Sequence, residues 1–477
     1  MSVYSKFLKP LFRPAIPLGT PFDIPTGSWM EGMHGETIMN GGLFPMTGIS
    51  ARANNFKSGV AIEMILRTRK SCRLSDFLVY DSEGTLPFVQ RFNNQASKDP
   101  FLSTLDFNYD EQGYITDISR YTGDEFCMML RDSVSEKSKG ANIKKYTKKT
   151  PFIDPRNKEQ REAIYPSFAL VDSLSKMPLS TIEAMYAKNE IGTSGNNTDA
   201  AQAGKAKNQW MNQLPQLLAK NGLYVIMTAL VGDTMMEDKY APDKRRLANM
   251  EKGTNYVGTC PSYYSLPNNL YEVRRKKPLL GNDKKPIYPK ENDPDIEGDT
   301  DLQIITVFNL RPKNGIAGIP VQLIMSQTVG PLLHLSAFHM CREQDWFGIT
   351  TSGNNANYRM DLRPDVALTR KNIRSKLEAD PFLGRAIEIT NDMLMMKHYH
   401  RELWARYGCT AQELHDDLIA LGYDWDTLLQ TRNYWVFEDE EPLHEVPFLS
   451  VMDLLKMRKK EYVPYWLSKE EKAKLKL

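Results

Sequence analysis

Cysteine is scarce in this chain: Cys72, Cys127, Cys260, Cys341 and Cys409 lie far apart among 477 residues, with no C-x-x-C pair. That spacing argues against a zinc centre and against a disulfide framework, and it fits a reducing compartment. Long apolar runs are missing too. No stretch reaches the roughly 18 uninterrupted apolar residues of a membrane span, and Met1-Ser2-Val3-Tyr4-Ser5-Lys6 has no apolar leader core. Neither membrane insertion nor secretion is expected. A charge of one sign is also lacking, since 61 Lys and Arg offset 59 Asp and Glu. With no global field, any nucleic-acid site must be a local patch. Histidine gives no metal signature: His398 and His400 are two apart and would leave a helix on different faces.

What the chain does have is apolar material, 41% of its residues, enough to bury a large core in about two or three domains. Its organising stretch is Ala51-Arg52-Ala53-Asn54-Asn55-Phe56-Lys57-Ser58. Upstream, Gly41 to Ser50 reads as a turn and a short buried strand; downstream, Val60 to Thr68 has apolar residues at helical spacing. A strand, a tight loop and a helix in that order can hold a triphosphate. Backbone N–H groups and the helix start face the anion, Lys57 reaches the outer phosphates, and Ser58 binds magnesium. The usual pattern, G-x-x-x-x-G-K-[ST], has glycine where this chain has Ala51 and Phe56. Alone, a Lys-Ser pair after a loop is most often only a solvated helix start.

Two later strands carry the reading further. Phe77-Leu78-Val79-Tyr80-Asp81-Ser82-Glu83 is apolar and ends in carboxylates, and Phe168-Ala169-Leu170-Val171-Asp172-Ser173 also ends in Asp-Ser. In a parallel sheet the carboxyl ends share one edge, so Lys57, Glu83 and Asp172 are expected to converge. Asp172 would then hold the magnesium shell, and Glu83 would polarise the water that attacks the γ-phosphate.

These residues resemble the RecA-type recombinases, most closely the UvsX-type recombinases of tailed phages. The resemblance starts at Ile24-Pro25-Thr26-Gly27-Ser28, runs through Gly41-Gly42-Leu43, and is sharpest at Phe56-Lys57-Ser58 and Tyr80-Asp81-Ser82-Glu83. UvsX-type proteins also carry Phe-Lys-Ser at this loop. The resemblance implies a RecA-like P-loop ATPase core of α/β class with a mostly parallel sheet, over residues 24–330. Before it stands an N-terminal arm, 1–23, rich in proline; such an arm docks on a neighbouring subunit in the family, although a tail packed on its own domain fits as well. After it comes a mostly helical region, 331–477. Only Asp365 to Met393 of that region carries any resemblance.

The implied function is that of a DNA-dependent ATPase. It would use ATP and Mg2+ to assemble as a helical homo-oligomer on single-stranded DNA, pair it with a homologous duplex and exchange strands. The expected location is cytoplasmic, the host cytoplasm if the chain is phage-encoded. A structural protein coating DNA and a hexameric helicase-type motor are the alternatives. In the family, the segments after the strand ending at Met227 line the filament axis and hold DNA. Here Lys244, Arg245, Arg246, Arg274 and Arg275 would follow the phosphates, while Tyr263 and Tyr264 would offer stacking faces. The plainer reading has the tyrosines half-buried and the basic residues merely solvated. Arg311 and Lys313, in the turn of a hairpin, match the basic pair that reaches across to a neighbour's ATP. Where the family places a γ-phosphate-sensing Gln or His, this chain has Thr228-Ala229-Leu230. A basic run, Lys137 to Lys149, reads as solvated surface or an accessory DNA contact.

Overall fold

The computed structural model of the chain describes residues 11–19, 21–83, 88–104, 115–117, 119–186, 196–234, 245–289, 301–352, 357–440 and 444–476. At its centre is a ten-stranded sheet in the order Gly330–Pro331, Pro320–Ser326, Leu302–Asn309, Asn269–Pro278, Met46–Ala51, Leu223–Asp233, Ser167–Asp172, Phe77–Asp81, Ile115–Asp117, with Thr254–Val257 folded back onto Leu223–Asp233. From Asn269–Pro278 to Ile115–Asp117 all neighbours are parallel. The other pairings are antiparallel. Parallel strands covered on both faces need side chains that tolerate full burial, and Met46–Ala51 and Ser167–Asp172 are buried throughout.

Helices cover both faces. Lys57–Thr68 buries Val60, Ala61, Met64 and Ile65 against the face carrying Ile49 and Ala51. Gly123–Ser135 and Asn196–Asn221 cover the opposite face through Phe126, Leu130, Met211 and Leu214. The fold is therefore mixed α/β with a large, mostly parallel central sheet, as expected. Among the described residues, no helix is long and apolar enough to cross a membrane.

The mostly helical region after residue 330 shares a core with the rest of the chain: one buried cluster joins Ile24, Met39, Leu302 and Ile324 to Leu383, Met393 and Leu454. It also includes a three-stranded antiparallel sheet, Ile349–Ser352, Asn357–Met360 and Arg363–Thr369, inside a stretch read mostly as helix. Within the N-terminal arm, residues 11–19 lie on their own chain. Ile16 exchanges two backbone hydrogen bonds with Leu43, and Tyr224 donates its hydroxyl to Pro14 O at 2.6 Å. Residues 1–10 of that arm, read as docking on a neighbouring subunit, lie outside the described residues. In the basic run, Lys137 is buried and donates to Tyr165 O at 2.9 Å; burial pulls its ammonium down to about 8.

One buried carboxyl ties the two ends of the chain together, and another closes a turn near the N-terminus. Asp453 accepts from the Thr37 N–H at 2.7 Å, and Asp23 accepts from the Leu18 and Gly19 N–H groups at 2.8 Å each. Burial, opposed by these hydrogen bonds, pushes both carboxyls up to about 7. The folded chain thus binds each proton more tightly than the unfolded chain does. Each carboxyl's contribution to stability is largest below the ordinary carboxyl range and is lost as pH rises toward 7. Asp453→Asn removes one such dependence. Urea titrations should show the stability of the parent relative to this variant falling between about pH 4 and pH 7, by up to about 1.4 kcal/mol per pH unit. A difference that does not change with pH would contradict the assignment.

Candidate functional site

The loop after Met46–Ala51 takes the shape its glycines would normally provide. Ala51 is still strand, fully buried and paired with Leu230 and Val273, so no freedom is required there. Phe56, at the second glycine position, has φ 60° and ψ 19°, and Asn54 has φ 61°. A non-glycine residue in that left-handed region costs about 1–2 kcal/mol, and contacts from a neighbouring strand hold it. Lys276 Nζ lies 4.8 Å over the Phe56 ring and donates to Asn54 O at 3.0 Å. Phe56 is the N-cap of Lys57–Thr68 and gives it no side-chain cap, so side chains leave the first N–H groups of that helix to an anion.

Lys57 begins the helix and points at the ends of two other parallel strands. Its Nζ lies 2.9 Å from Asp172 Oδ1 and 3.2 Å from Glu83 Oε1. Burial opposes the charge, yet Asp172 and Glu83 outweigh it and hold the ammonium above its ordinary range. The convergence expected from strand order is therefore present in the fold. Asp172 is buried, and its Oδ1 also accepts from the Thr228 hydroxyl. Glu83 is more open: Ser173 Oγ donates to Oε1 at 3.3 Å, while Oε2 accepts no hydrogen bond among the described residues. Asp172 is thus fixed and Glu83 can meet water.

Magnesium prefers hard oxygen ligands and keeps several waters, so it needs few protein groups. Ser58, whose hydroxyl makes no hydrogen bond among the described residues, and Asp172 are a donor set of that kind. Among the described residues no group of three or more His, Cys, Asp or Glu side chains forms a metal cluster. His400 Nε2 instead meets Ile24 O at 3.0 Å.

On its other side the loop borders a cavity of about 500 Å³, lined by Arg52 and Asn55, by residues 248–252 with Arg245, and by Glu272, Arg274, Arg275 and Phe308. Three of the expected DNA-binding residues meet here. Arg245 and Arg275 are exposed, and Arg274 is half-buried, with Nη2 donating to Asn249 O at 2.8 Å. Arg246 is exposed, its guanidinium 4.7 Å over the Tyr264 ring. Lys244 lies outside the described residues.

The two tyrosines do not fit the expected stacking role. Tyr263 is fully buried, its hydroxyl 3.2 Å from both Ser50 Oγ and Met227 O, and Tyr264 is buried with its hydroxyl accepting from the Tyr256 N–H at 2.7 Å. Gly48 makes the space: a Cβ there would stand 2.5 Å from Leu270 and 3.0 Å from the Tyr263 hydroxyl. Arg311 is turned onto its own chain, donating to Pro267 O, and Lys313 is exposed.

Sequence reasoning missed Thr228, Ser173, Lys276, Asp233 and Glu251. Only Thr228 and Ser173 carried a signal, as polar residues at or near the ends of buried strands. No protein-family model matches the chain, and no curated protein compared with it matches either.

Proposed function

We propose that the chain is a RecA-type, DNA-dependent ATPase that assembles on single-stranded DNA and pairs it with a homologous duplex for strand exchange. The observation that supports this most is the position of Lys57: it starts the helix after a strand and an anion-ready loop, with its ammonium between Asp172 and Glu83. In this reading the triphosphate draws Lys57 from the carboxylates to the β- and γ-phosphates, while the loop N–H groups grip the chain of phosphates. Ser58 and Asp172 would hold a magnesium ion, which when bound would supply charge neutralisation on the phosphate oxygens. Glu83, with one oxygen open, accepts the proton of the attacking water. The stretch Thr228-Ala229-Leu230 has no counterpart to the family's γ-phosphate-sensing Gln or His, but the Thr228 hydroxyl, by donating to Asp172, ties the Leu223–Asp233 strand to this edge of the site.

The direct test is the rate of ATP hydrolysis with and without single-stranded DNA; no hydrolysis under either condition would reject the reading. A second test addresses Arg311 and Lys313 as groups supplied to a neighbour. An Arg311→Ala, Lys313→Ala double variant and a Lys57→Ala variant are each expected to be inactive alone. Mixed, they should recover part of the activity, because some interfaces then join an intact loop to an intact basic pair. Failure to recover at every mixing ratio would remove the shared site.

A further inference from the structure

On the face of the sheet opposite Lys57–Thr68, the helices Gly123–Ser135 and Asn196–Asn221 leave a groove of about 670 Å³ between them. Its floor is apolar: Cys127, Met177, Leu179, Trp210, Leu214 and Leu217. Met128 stands on one wall, 52% exposed, with Tyr121 and Met129 also exposed on the same stretch. Those three are among only ten large apolar side chains that are exposed among the described residues. Exposed apolar residues scattered singly are ordinary, whereas three within 121–129 beside an apolar groove form a contact patch. Methionine suits such a patch, because its unbranched side chain repacks around whatever docks.

The groove is short of anions. Lys207, buried in its wall, has no carboxylate partner among the described residues: Nζ donates to Leu174 O at 2.7 Å and Gly258 O at 2.8 Å, and burial pulls the ammonium down to about 8. At the end where Gly123–Ser135 runs into Glu136–Ser138 and Asn196–Asn221 finishes, Arg131, Lys139 and Lys220 stand exposed on the rim. Lys220 makes no ion pair or hydrogen bond among the described residues. Arg131 and Lys139 meet only Asp132 and Glu136, in exposed pairs of little strength. The one carboxylate in the lining, Asp124, is taken up at the opposite end by the Ser180 N–H at 2.8 Å and the Ser180 hydroxyl at 2.5 Å. Between the two ends the rim is neutral, with Gln209, Gln213 and Gln216 exposed.

We propose that this groove docks an acidic amphipathic helix of a second protein, its apolar stripe on the floor and its carboxylates gathered at the end that meets Arg131, Lys139 and Lys220. The lining on Asn196–Asn221 runs from Ala206 to Asn221, roughly 22 Å at about 1.5 Å per residue, which matches a helix of about four turns. A helix lays apolar residues three and four apart into a groove of this shape. Charge selects the occupant. Residues 1–10 of this chain are partly apolar too, but they carry Lys6 and Lys9 and no acid, so the rim cations repel them. A nucleic acid strand fits poorly, because the cations meet only the ends of the groove and the floor between them is apolar. This inference does not rest on the triphosphatase reading.

Fluorescence anisotropy on the full, nucleotide-free chain tests it with three labelled peptides. One is a helix of about fifteen residues with Leu at every third or fourth position and Glu elsewhere; the second has Lys for each Glu; the third is residues 1–12 of this chain. The acidic peptide should bind roughly tenfold or more tightly than the basic one. Equal binding of the two, or no binding of the acidic peptide up to roughly 1 mM, would overturn the proposal. Tightest binding by residues 1–12 would make the groove an interface between copies of this chain and reject a second protein. An Arg131→Glu, Lys220→Glu variant, changed only at exposed side chains, should invert the preference between acidic and basic peptides, and an unchanged preference would place their binding elsewhere. Met128→Glu should weaken the acidic peptide by roughly tenfold with the circular dichroism spectrum unchanged, and unaltered affinity would remove the groove from the contact. Single-stranded DNA affinity should be the same in the charge-reversed variant as in the parent; a loss of roughly tenfold would assign the groove to nucleic acid and reject the helix.

Discussion

A Lys57→Ala variant is expected to lose ATP affinity by a factor of roughly 30 to several thousand, the equivalent of about 2–5 kcal/mol for truncating one partner of a buried charge pair. Two terms add. The triphosphate loses the cation that meets its outer phosphates, and Asp172 and Glu83, now held 2.9 and 3.2 Å from Lys57 Nζ, are left facing an anion with nothing between them. Lys57→Met, which keeps the buried stem, should lose nearly as much. That similarity would assign the loss to charge rather than packing. The measurement is the rise in melting temperature on adding ATP, since a ligand bound only by the folded chain stabilises it by RT ln(1 + L/Kd), with L the free ATP concentration, so a weaker Kd gives a smaller rise at the same ATP concentration. Parent-like stabilisation by ATP in both variants would mean that the loop does not hold a triphosphate.

The parts of this site that the sequence made legible are those carried by local pattern and strand order. An apolar strand, a short polar loop and a helix with apolar residues three and four apart give Met46–Ala51 and Lys57–Thr68. Acidic residues at two further strand ends, together with the shared edge of a parallel sheet, give the meeting of Lys57, Glu83 and Asp172. What stayed hidden depends on packing between distant segments. Tyr263 and Tyr264 lie between basic runs in sequence, and that pattern reads the same whether the rings face solvent or fill the space left by Gly48. The left-handed conformation of Phe56 could not be read either, because the residue supporting it, Lys276, is far along the chain. Short strands such as Ile349–Ser352 and Asn357–Met360 carry too few alternating positions to separate them from loops.

Glu83→Gln should separate binding from chemistry, which Lys57→Ala cannot. Glutamine has the same shape and still offers Lys57 and Ser173 an oxygen in place of Oε1, so ATP affinity is expected to stay within a few-fold of the parent. The lost group is the open carboxylate oxygen that would take a proton from water, and removing a general base lowers the rate by about 10²–10⁴. Asp172 cannot take over: it is buried, and its Oδ1 already serves Lys57 and Thr228. Single-turnover hydrolysis with saturating enzyme reads the chemical step directly, free of binding and product release. A slow step with normal affinity assigns the base to Glu83. A parent-like rate would mean that Glu83 only ends a strand, and that the water is activated by some other group at this edge of the sheet.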